Sequence, residues 1–306
     1  MLRFIGKRLV YAIITLFLIA TATFFLVAGA PGDPIAAKVG QMPEQAQEII
    51  SAKYGLDKPV FEQYVKYMTD FVRGDFGISY QKTDTSVNEI IATGAPYSMT
   101  IGICASVLIV VIGVTAGVVA ALRHNRIADR TLMILATIGA TIPSFVIASG
   151  FLYIFSSKLG WVPSFGVGTW KHYIGPVISV SVFSIAFRSR LARTSVLEEM
   201  GKDYIRTARA KGTPEALVIT RHALRNAMIP VVTYVGQMVA GIVTGSFVVE
   251  KVFGMPGIGY LFTESILNRD YTAIMGITVF FSVLLIISIL IVDMLYVLID
   301  PRIKYD

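Results

Sequence analysis

Six long stretches without a charged side chain constrain this sequence more than any other feature. About 20 apolar residues cross the hydrocarbon core of a bilayer, and a charge at its centre costs roughly 2.5 to 3.5 kcal/mol on insertion scales. Five stretches contain 22 or more residues, whereas the fourth contains 15 and needs an extra turn from Trp170 or a snorkelling Arg188. The predicted spans are Leu9–Gly32, Ile90–Leu122, Thr131–Ser157, Tyr173–Phe187, Asn226–Val249 and Tyr271–Val292. The sequence therefore predicts an all-α membrane protein with six transmembrane helices.

The composition agrees with a chain whose solvent is mostly lipid. Of 306 residues, 55% are hydrophobic and 15% are charged, and the mean hydropathy is +0.68. This leaves too little polar surface to coat a water-soluble globule. The formal net charge of +7 does not indicate nucleic-acid binding, because the basic residues cluster at the ends of the apolar stretches. Cys104 is the only cysteine, which excludes an intrachain disulfide.

The uneven distribution of Lys and Arg predicts the orientation of the chain. If the N-terminus is inside, the segments 1–8, 123–130, 188–225 and 293–306 face the cytoplasm and contain 17 of the 27 basic residues. Cytoplasmic loops carry such an excess, so both termini are predicted to be cytoplasmic in a multi-pass protein. The alternative, that the first span is a secretory signal, is disfavoured because its 24 residues exceed the usual signal core of about 7 to 15.

Residues 33–93 form a predicted external segment. Within it, Pro43–Lys53 has the composition of a short surface helix. Val60–Val72 has apolar residues at helical spacing with Glu62, Lys66 and Asp70 between them, which predicts an amphipathic helix lying on protein or on lipid headgroups. Two interpretations stay open for this helix: a structural cap, or a platform for an external partner.

The sequence lacks the usual marks of catalysis within this chain. Gly201-Lys202 is not a phosphate-binding loop, because Val196 and Asp203 occupy the positions where that motif needs Gly and Ser or Thr. The histidines fall in connecting segments, so no metal site is predicted. The spans before the last contain no ionisable group as delimited, which disfavours a proton- or sodium-coupled carrier. We therefore expect neither an enzyme nor a bound cofactor or metal.

The most informative segment is the basic loop 188–225, whose second half predicts helix, break, helix. We expect Asp203 to cap a short helix that runs through Lys211, and Gly212 to end it in a left-handed conformation. Thr213 would then cap a second helix, with Pro214 in its first position and Glu215 near its positive end. A helix of two turns is unstable alone, and Ala208, Ala210 and Gly212 offer a small surface for close approach. Docking of a partner and a solvated, topology-setting loop both remain open at this point.

The same loop resembles the cytoplasmic loop of ABC-importer permeases, whose pattern is Glu-Ala-Ala, three residues, Gly, nine residues, then Ile-x-Leu-Pro. Ala208, Gly212 and Leu224 match this pattern, whereas Arg206, Thr207, His222 and Arg225 replace its Glu, first Ala, Ile and Pro. The run from Arg206 to Gly212, with the run from Arg221 to Ala227, is similar to the variant found in oligopeptide and dipeptide permeases. The residues assigned to this docking loop are Asp203, Tyr204, Arg206, Thr207, Ala208, Arg209, Ala210, Lys211, Gly212, Arg221 and His222.

Further motifs extend the resemblance over nearly the whole chain. They are Arg3 and Arg8, Pro31-Gly-Asp-Pro34, Tyr54-Gly-Leu-Asp-Lys-Pro59, Arg73-Gly-Asp-Phe-Gly77, Glu250-Lys-Val-Phe-Gly-Met-Pro-Gly-Ile-Gly259, Asn268-Arg-Asp-Tyr271, Asp293-x-x-Tyr296 and Asp300-Pro-Arg302. All are similar to the first membrane subunit of peptide importers.

The resemblance implies a permease subunit that forms half of a pathway for oligopeptides or dipeptides across a bacterial inner membrane. It implies a type I importer core of the MetI-like kind at 94–300, preceded by an added N-terminal span at 1–32. It also implies a second homologous permease, two cytoplasmic ATPase subunits that hold the ATP and Mg²⁺, and an external substrate-binding protein. ATP-driven movement of the loop would switch the spans between outward and inward opening.

Several individual residues have two interpretations each. Glu250, Gly254, Pro256, Gly257 and Gly259 would form an external turn that either re-enters towards the pathway as a gate or only connects two helices. Asp293 either pairs with a basic residue at the inner interface or belongs to the pathway. Arg188, Arg190 and Arg193 either anchor the topology or shape an inner gate.

Two alternative functions remain compatible with the sequence. Permeases for nickel or other small solutes share much of this pattern, so the substrate class is not decided by it. A passive channel would need no ATPase, so co-purification of the detergent-solubilised chain with nucleotide-dependent partners would distinguish it from an importer.

Overall fold

The computed structural model describes residues 2–30, 52, 55–82, 84–243 and 245–299, and most of these are helical. In chain order the helices are α1 (Leu2–Ala28), α2 (Val60–Val72), α3 (Val87–Leu122), α4 (Ile127–Thr141), α5 (Ser144–Lys158), α6 (Lys171–Met200), α7 (Asp203–Ala210), α8 (215–243), α9 (Phe247–Val252), α10 (Ile258–Leu267) and α11 (Tyr271–Ile299). The predicted surface helix Pro43–Lys53, the motif 31–34, Tyr54 and the motif 300–302 lie outside the described residues. The all-helical fold class is confirmed.

Four helices in the described part are long and apolar enough to cross a membrane: Gly6–Ala28, Val87–Leu122, Lys171–Met200 and Tyr271–Ile291. They correspond to the first, second, fourth and sixth predicted spans. α4 and α5 would supply a fifth if together they form one broken span. The count of six transmembrane helices stays a prediction.

The third predicted span, Thr131–Ser157, is not one straight helix. α4 and α5 meet at an angle of 101°. Pro143 lacks an N–H and disfavours the helical conformation of the residue before it, and Ile142 accordingly has φ −84° and ψ 124°. The apolar run is therefore broken by its own proline, which a count of uncharged residues ignores.

The fourth span is longer than its 15 uncharged residues suggested. α6 contains 30 residues, about 45 Å at 1.5 Å per residue. Its buried face is rich in serine, and the hydroxyls of Ser179, Ser181 and Ser189 each donate to the carbonyl four residues earlier. The side chain of Arg188 is buried and donates to the carbonyl of Tyr234 at 3.0 Å. The prediction that Arg188 snorkels was therefore wrong.

The fifth predicted span, Asn226–Val249, ends six residues early. α8 stops at Val243, and a break at Gly245 separates it from α9. Gly245 has φ +97°, and a Cβ there would lie 2.7 Å from Oε1 of Glu250 and 3.1 Å from Oγ of Ser98. Only glycine fits both the left-handed backbone and the lack of space.

The described residues fall into two compact units: those before Ser98 together with Pro256–Ile287 form one, and Ser98–Met255 together with Ser288–Ile299 form the other. In the second unit α6 is central and packs against the C-terminal half of α3, α4, α5 and α8. Small residues permit this close packing: a Cβ on Gly117 would lie 2.4 Å from the carbonyl oxygen of Ser189.

In the first unit, α2 packs against the C-terminal part of α1. The hydroxyls of Thr21 and Tyr64 are hydrogen-bonded at 2.9 Å, and Phe24 stacks on Tyr67 with a ring-centroid distance of 5.5 Å. The amphipathic helix predicted at Val60–Val72 is confirmed with the same bounds.

Candidate functional site

The predicted docking loop folds as a helix, a glycine turn and a second helix. α7 has Lys202 as its N-cap and ends at Ala210, so Asp203 is its first helical residue and the prediction that Asp203 caps it was wrong. Gly212 has φ +77°, and the amides of Gly212 and Thr213 donate to the carbonyls of Arg209 and Ala208 at 2.9 and 3.2 Å. This pair of bonds is a Schellman motif, which confirms the left-handed helix end predicted at Gly212.

The second helix begins one residue later than predicted. Pro214 has φ −53° and ψ 137°, occupies the N-cap position, and makes no side-chain capping bond. The expected capping by Thr213 was therefore wrong. Glu215 lies in the first turn, as predicted. Its negative charge there interacts favourably with the positive end of the helix dipole.

A small apolar core holds the two helices of the loop together. Ile205, Val218 and Ala223 are fully buried, with Met200 and Ala208 packed against them. Ala208 therefore faces the inside of the loop, while Ala210 and Gly212 are exposed and nothing lies within 4 Å of a Cβ placed on Gly212. Of the three small residues predicted to allow close approach of a partner, only Ala210 and Gly212 are therefore exposed.

An ion pair closes the glycine turn. Nη2 and Nε of Arg209 donate to the two carboxylate oxygens of Glu215 at 2.7 and 3.0 Å. These hydrogen bonds lower the pKa of the Glu215 carboxyl and raise that of the Arg209 guanidinium. Sequence reasoning missed the pair, although opposite charges on either side of a turn-forming glycine are a usable signal.

Tyr204 connects α7 to both long helices that flank the loop. Its hydroxyl donates to the carboxylate of Glu199, near the end of α6, and accepts from Nδ2 of Asn226 in α8 at 3.1 Å. The carbonyl oxygen of His222 lies 3.5 Å from the same hydroxyl. Burial, and next the bond to Glu199, raises the pKa of the Tyr204 phenol. Glu199 and Asn226 were not among the predicted residues, because 27 positions separate them in the sequence.

The remaining predicted residues of α7 form one solvent-exposed face of the helix. Asp203, Arg206, Thr207 and Ala210 recur at helical spacing and are exposed, as are Lys211 and Gly212 beyond the helix end. Arg206 and Asp203 lie 3.6 Å apart, and both side chains are largely exposed to solvent. Arg221 is exposed on α8, and His222 is half-buried.

The residues predicted as an external turn do not form a single turn. Glu250 lies inside α9, is fully buried, and accepts a hydrogen bond of 2.6 Å from Oγ of Ser98. Gly254 has φ +60° and ends α9, and Gly257 is the N-cap of α10. Pro256 lies in the intervening turn, whereas Gly259 is a buried residue of α10. The assignment of Glu250 and Gly259 to a turn was wrong, because both residues lie within helices, and the role of this segment as a gate stays a prediction.

The arginines of α6 have different environments. Nε and Nη2 of Arg193 donate to the two carboxylate oxygens of buried Asp129 at 2.6 and 2.8 Å, which joins α6 to the first turn of α4. Arg188 is buried, and its Nε has no hydrogen-bond partner among the described residues. Arg190 is half-buried. The pair with Asp129 was missed, although Asp129 is the only acidic residue of the segment 123–130.

The described part of the chain contains no group of three or more His, Cys, Asp or Glu side chains that could hold a metal ion. The expectation that ATP and Mg²⁺ belong to partner subunits stays a prediction. The side chain of Asp293, whose role was left open, lies outside the described residues.

Comparison with known proteins gives matches over the whole chain. Residues 113–305 match the family described as binding-protein-dependent transport system inner membrane component, and residues 1–102 match its N-terminal companion family. The oligopeptide transport system permease protein OppB of Haemophilus influenzae is 44% identical over 307 residues, covering 100% of both chains. The dipeptide transport system permease protein DppB of Bacillus subtilis is 43% identical, covering 99% of this chain and 98% of its own.

A solved structure has a similar fold. A chain of the MetNI methionine ABC transporter, in an inward-facing conformation, superposes with a TM-score of 0.58 at 16% identity. The match covers 69% of this chain and 96% of that chain.

Proposed function

This chain belongs to the family of binding-protein-dependent transport system inner membrane components, and from this premise we propose that it is the permease subunit of a peptide importer. The observation that carries the proposal is similarity of 43 to 44% over the full length to permeases named for oligopeptide and dipeptide transport. Nickel and other small solutes are less well supported, because these two relatives are named for peptides.

The proposed partners are those that an ATP-driven importer needs beyond this chain. They are a second homologous permease, two cytoplasmic ATPase subunits that bind ATP and Mg²⁺, and an external substrate-binding protein. Both termini would be cytoplasmic, which places α7 on the side where ATP is available. In this arrangement residues 1–32 form an added span, 33–93 an external segment and 94–300 the permease core.

The exposed face of α7 would receive the ATPase, and Tyr204 would transmit its movement. The apolar core around Ile205 and the Arg209–Glu215 pair hold the loop as one body. The hydroxyl of Tyr204 then connects that body to both α6 and α8. The bond to Glu199 involves a charged group and contributes roughly 1.5 to 3 kcal/mol, and the neutral bond from Asn226 contributes roughly 0.5 to 1.5 kcal/mol, so a push on α7 would move both long helices together.

The function is tested by uptake in cells that lack the chromosomal copy of this gene and carry it on a plasmid. Labelled oligopeptide, labelled dipeptide and nickel are supplied separately, with and without depletion of ATP. ATP-dependent uptake of a peptide supports the proposal. Uptake of nickel alone would reject the peptide class, and peptide uptake that survives ATP depletion would indicate a passive channel.

A further inference from the structure

Helix α2 has an exposed apolar strip next to the strip that packs on α1. Phe61, Val65 and Val72 are exposed by 71, 47 and 81%. Their spacing of four and seven residues places them within an arc of about 40° at 3.6 residues per turn. Three exposed apolar side chains in line on a 13-residue helix need an environment other than water.

The position of α2 along α1 indicates the depth of this strip relative to the bilayer. The span Gly6–Ala28 contains 23 residues, about 35 Å of helix, against about 30 Å of hydrocarbon core. Tyr64 packs on Phe24 and Phe25 with ring-centroid distances of 5.4 and 5.2 Å. These two residues lie within about one turn, 5.4 Å, of the end of the span. α2 is therefore held at the boundary between acyl chains and headgroups.

The apolar strip continues an exposed apolar surface of the candidate span α1. Leu18, Phe25 and Leu26 of α1 are exposed by 58, 48 and 75%, as expected for a span whose apolar window is only 11% buried. From Phe25 the apolar surface passes over Tyr64 to Phe61, whose ring centroid is 6.4 Å from that of Tyr64. The rings of Phe25, Tyr64 and Phe61 thus form a continuous row from α1 onto α2.

The remaining face of α2 carries its charges. Glu62, Lys66 and Asp70 follow one another at intervals of four residues and lie on the side opposite Tyr64. A helix with one apolar and one charged face, parallel to the bilayer surface, inserts its apolar side about 5 to 10 Å into the boundary region. We propose that α2 is an interfacial helix whose strip Phe61, Val65 and Val72 inserts into the lipid leaflet at the end of α1, independently of any transport partner.

The proposal is tested by measuring how deeply individual positions of α2 insert into the lipid bilayer. In a Cys104→Ser background, nitroxide labels are attached to Phe61→Cys and Val65→Cys and, as matched controls on the charged face of the same helix, to Glu62→Cys and Lys66→Cys. The full-length chain is reconstituted into phosphatidylcholine vesicles, and label accessibility to oxygen and to a water-soluble nickel chelate is compared. All four positions are exposed, so the labels can be attached without displacing a buried side chain.

The expected result is an oxygen-to-nickel accessibility ratio several-fold higher at positions 61 and 65 than at 62 and 66. Equal ratios at the four positions would overturn the proposal. So would high nickel accessibility at 61 and 65 that falls only when a substrate-binding protein is added, because the strip would then be a protein-docking face.

Discussion

The side-chain amide of Asn226 donates a hydrogen bond of 3.1 Å to the hydroxyl of Tyr204, which itself donates to Glu199. Three helices, α6, α7 and α8, thus meet at one phenolic oxygen. A movement of α7 that keeps this oxygen bonded must carry the ends of both long helices with it.

Removing that oxygen should separate ATP hydrolysis from transport. We expect Tyr204→Phe to keep the ring packing but lose bonds of roughly 1 to 3 kcal/mol, so that ATP is hydrolysed by the complex with little peptide uptake. ATPase activity and uptake are measured together in proteoliposomes. Tyr11→Phe, at an exposed tyrosine of α1, is the matched control. A parallel fall of both activities would instead indicate lost assembly.

A charge at the tip of the loop should block docking. Gly212→Asp places a carboxylate in the open space beside Ala210 and is expected to abolish ATP-dependent uptake while the chain still inserts. The left-handed backbone at φ +77° would strain most side chains, but Asn and Asp tolerate it best. Gly212→Asn therefore carries the same strain without the charge and should retain most uptake. Normal uptake by the Asp variant would reject the docking role.

The ion pair between Asp129 of α4 and Arg193 of α6 should matter for stability. Asp129→Asn removes the charged partner of Arg193 and is expected to destabilise the protein by about 1 to 3 kcal/mol, the range for hydrogen bonds to charged groups, because Asp129 is buried whereas Arg193 is 23% exposed. Thermal unfolding in detergent measures the loss. Asp57→Asn, at an exposed aspartate, should leave the transition within the error of the wild type. An unchanged transition for both variants would show that the pair contributes nothing.

The orientation of the chain is open to a direct measurement. We expect a cysteine at Arg206 to be labelled only from the cytoplasmic side and a cysteine at Asp70 only from outside, both in the Cys104→Ser background. The reason is the excess of Lys and Arg in the segments assigned to the cytoplasm. Membrane-impermeant maleimide applied to intact cells and to inverted vesicles distinguishes the two faces. The reverse pattern would invert the topology.

Much of the local structure can be predicted from residues that are close together in the sequence. The alternation of apolar and charged residues at 60–72 is enough to predict α2 with its observed bounds, and a lone glycine after Ala208-Arg-Ala-Lys is enough to predict the turn at Gly212. The break at Pro143 was equally readable, because a proline disrupts a helix whatever surrounds it. It was missed only because charges alone were counted.

Other features depend on partners that lie far apart in the chain. α6 continues past its 15 uncharged residues because two of its arginines find partners elsewhere in the fold: Arg188 donates to the carbonyl of Tyr234, and Arg193 pairs with Asp129. Ala208 is half-buried because Ile205 and Val218 form a core beside it, which no local pattern indicates. Glu250 is buried within α9 because Ser98, 152 positions away, reaches its carboxylate.

The sequence by itself determined the membrane-spanning character of the chain, its family and the helix–turn–helix form of the loop. Each of these depends on composition or on residues within a few turns of one another. Only the tertiary structure decided which loop residues face outward and which are anchors. Tyr204 differs from Arg206 in role because Glu199 and Asn226 converge on its hydroxyl, and that convergence arises when α6, α7 and α8 pack together.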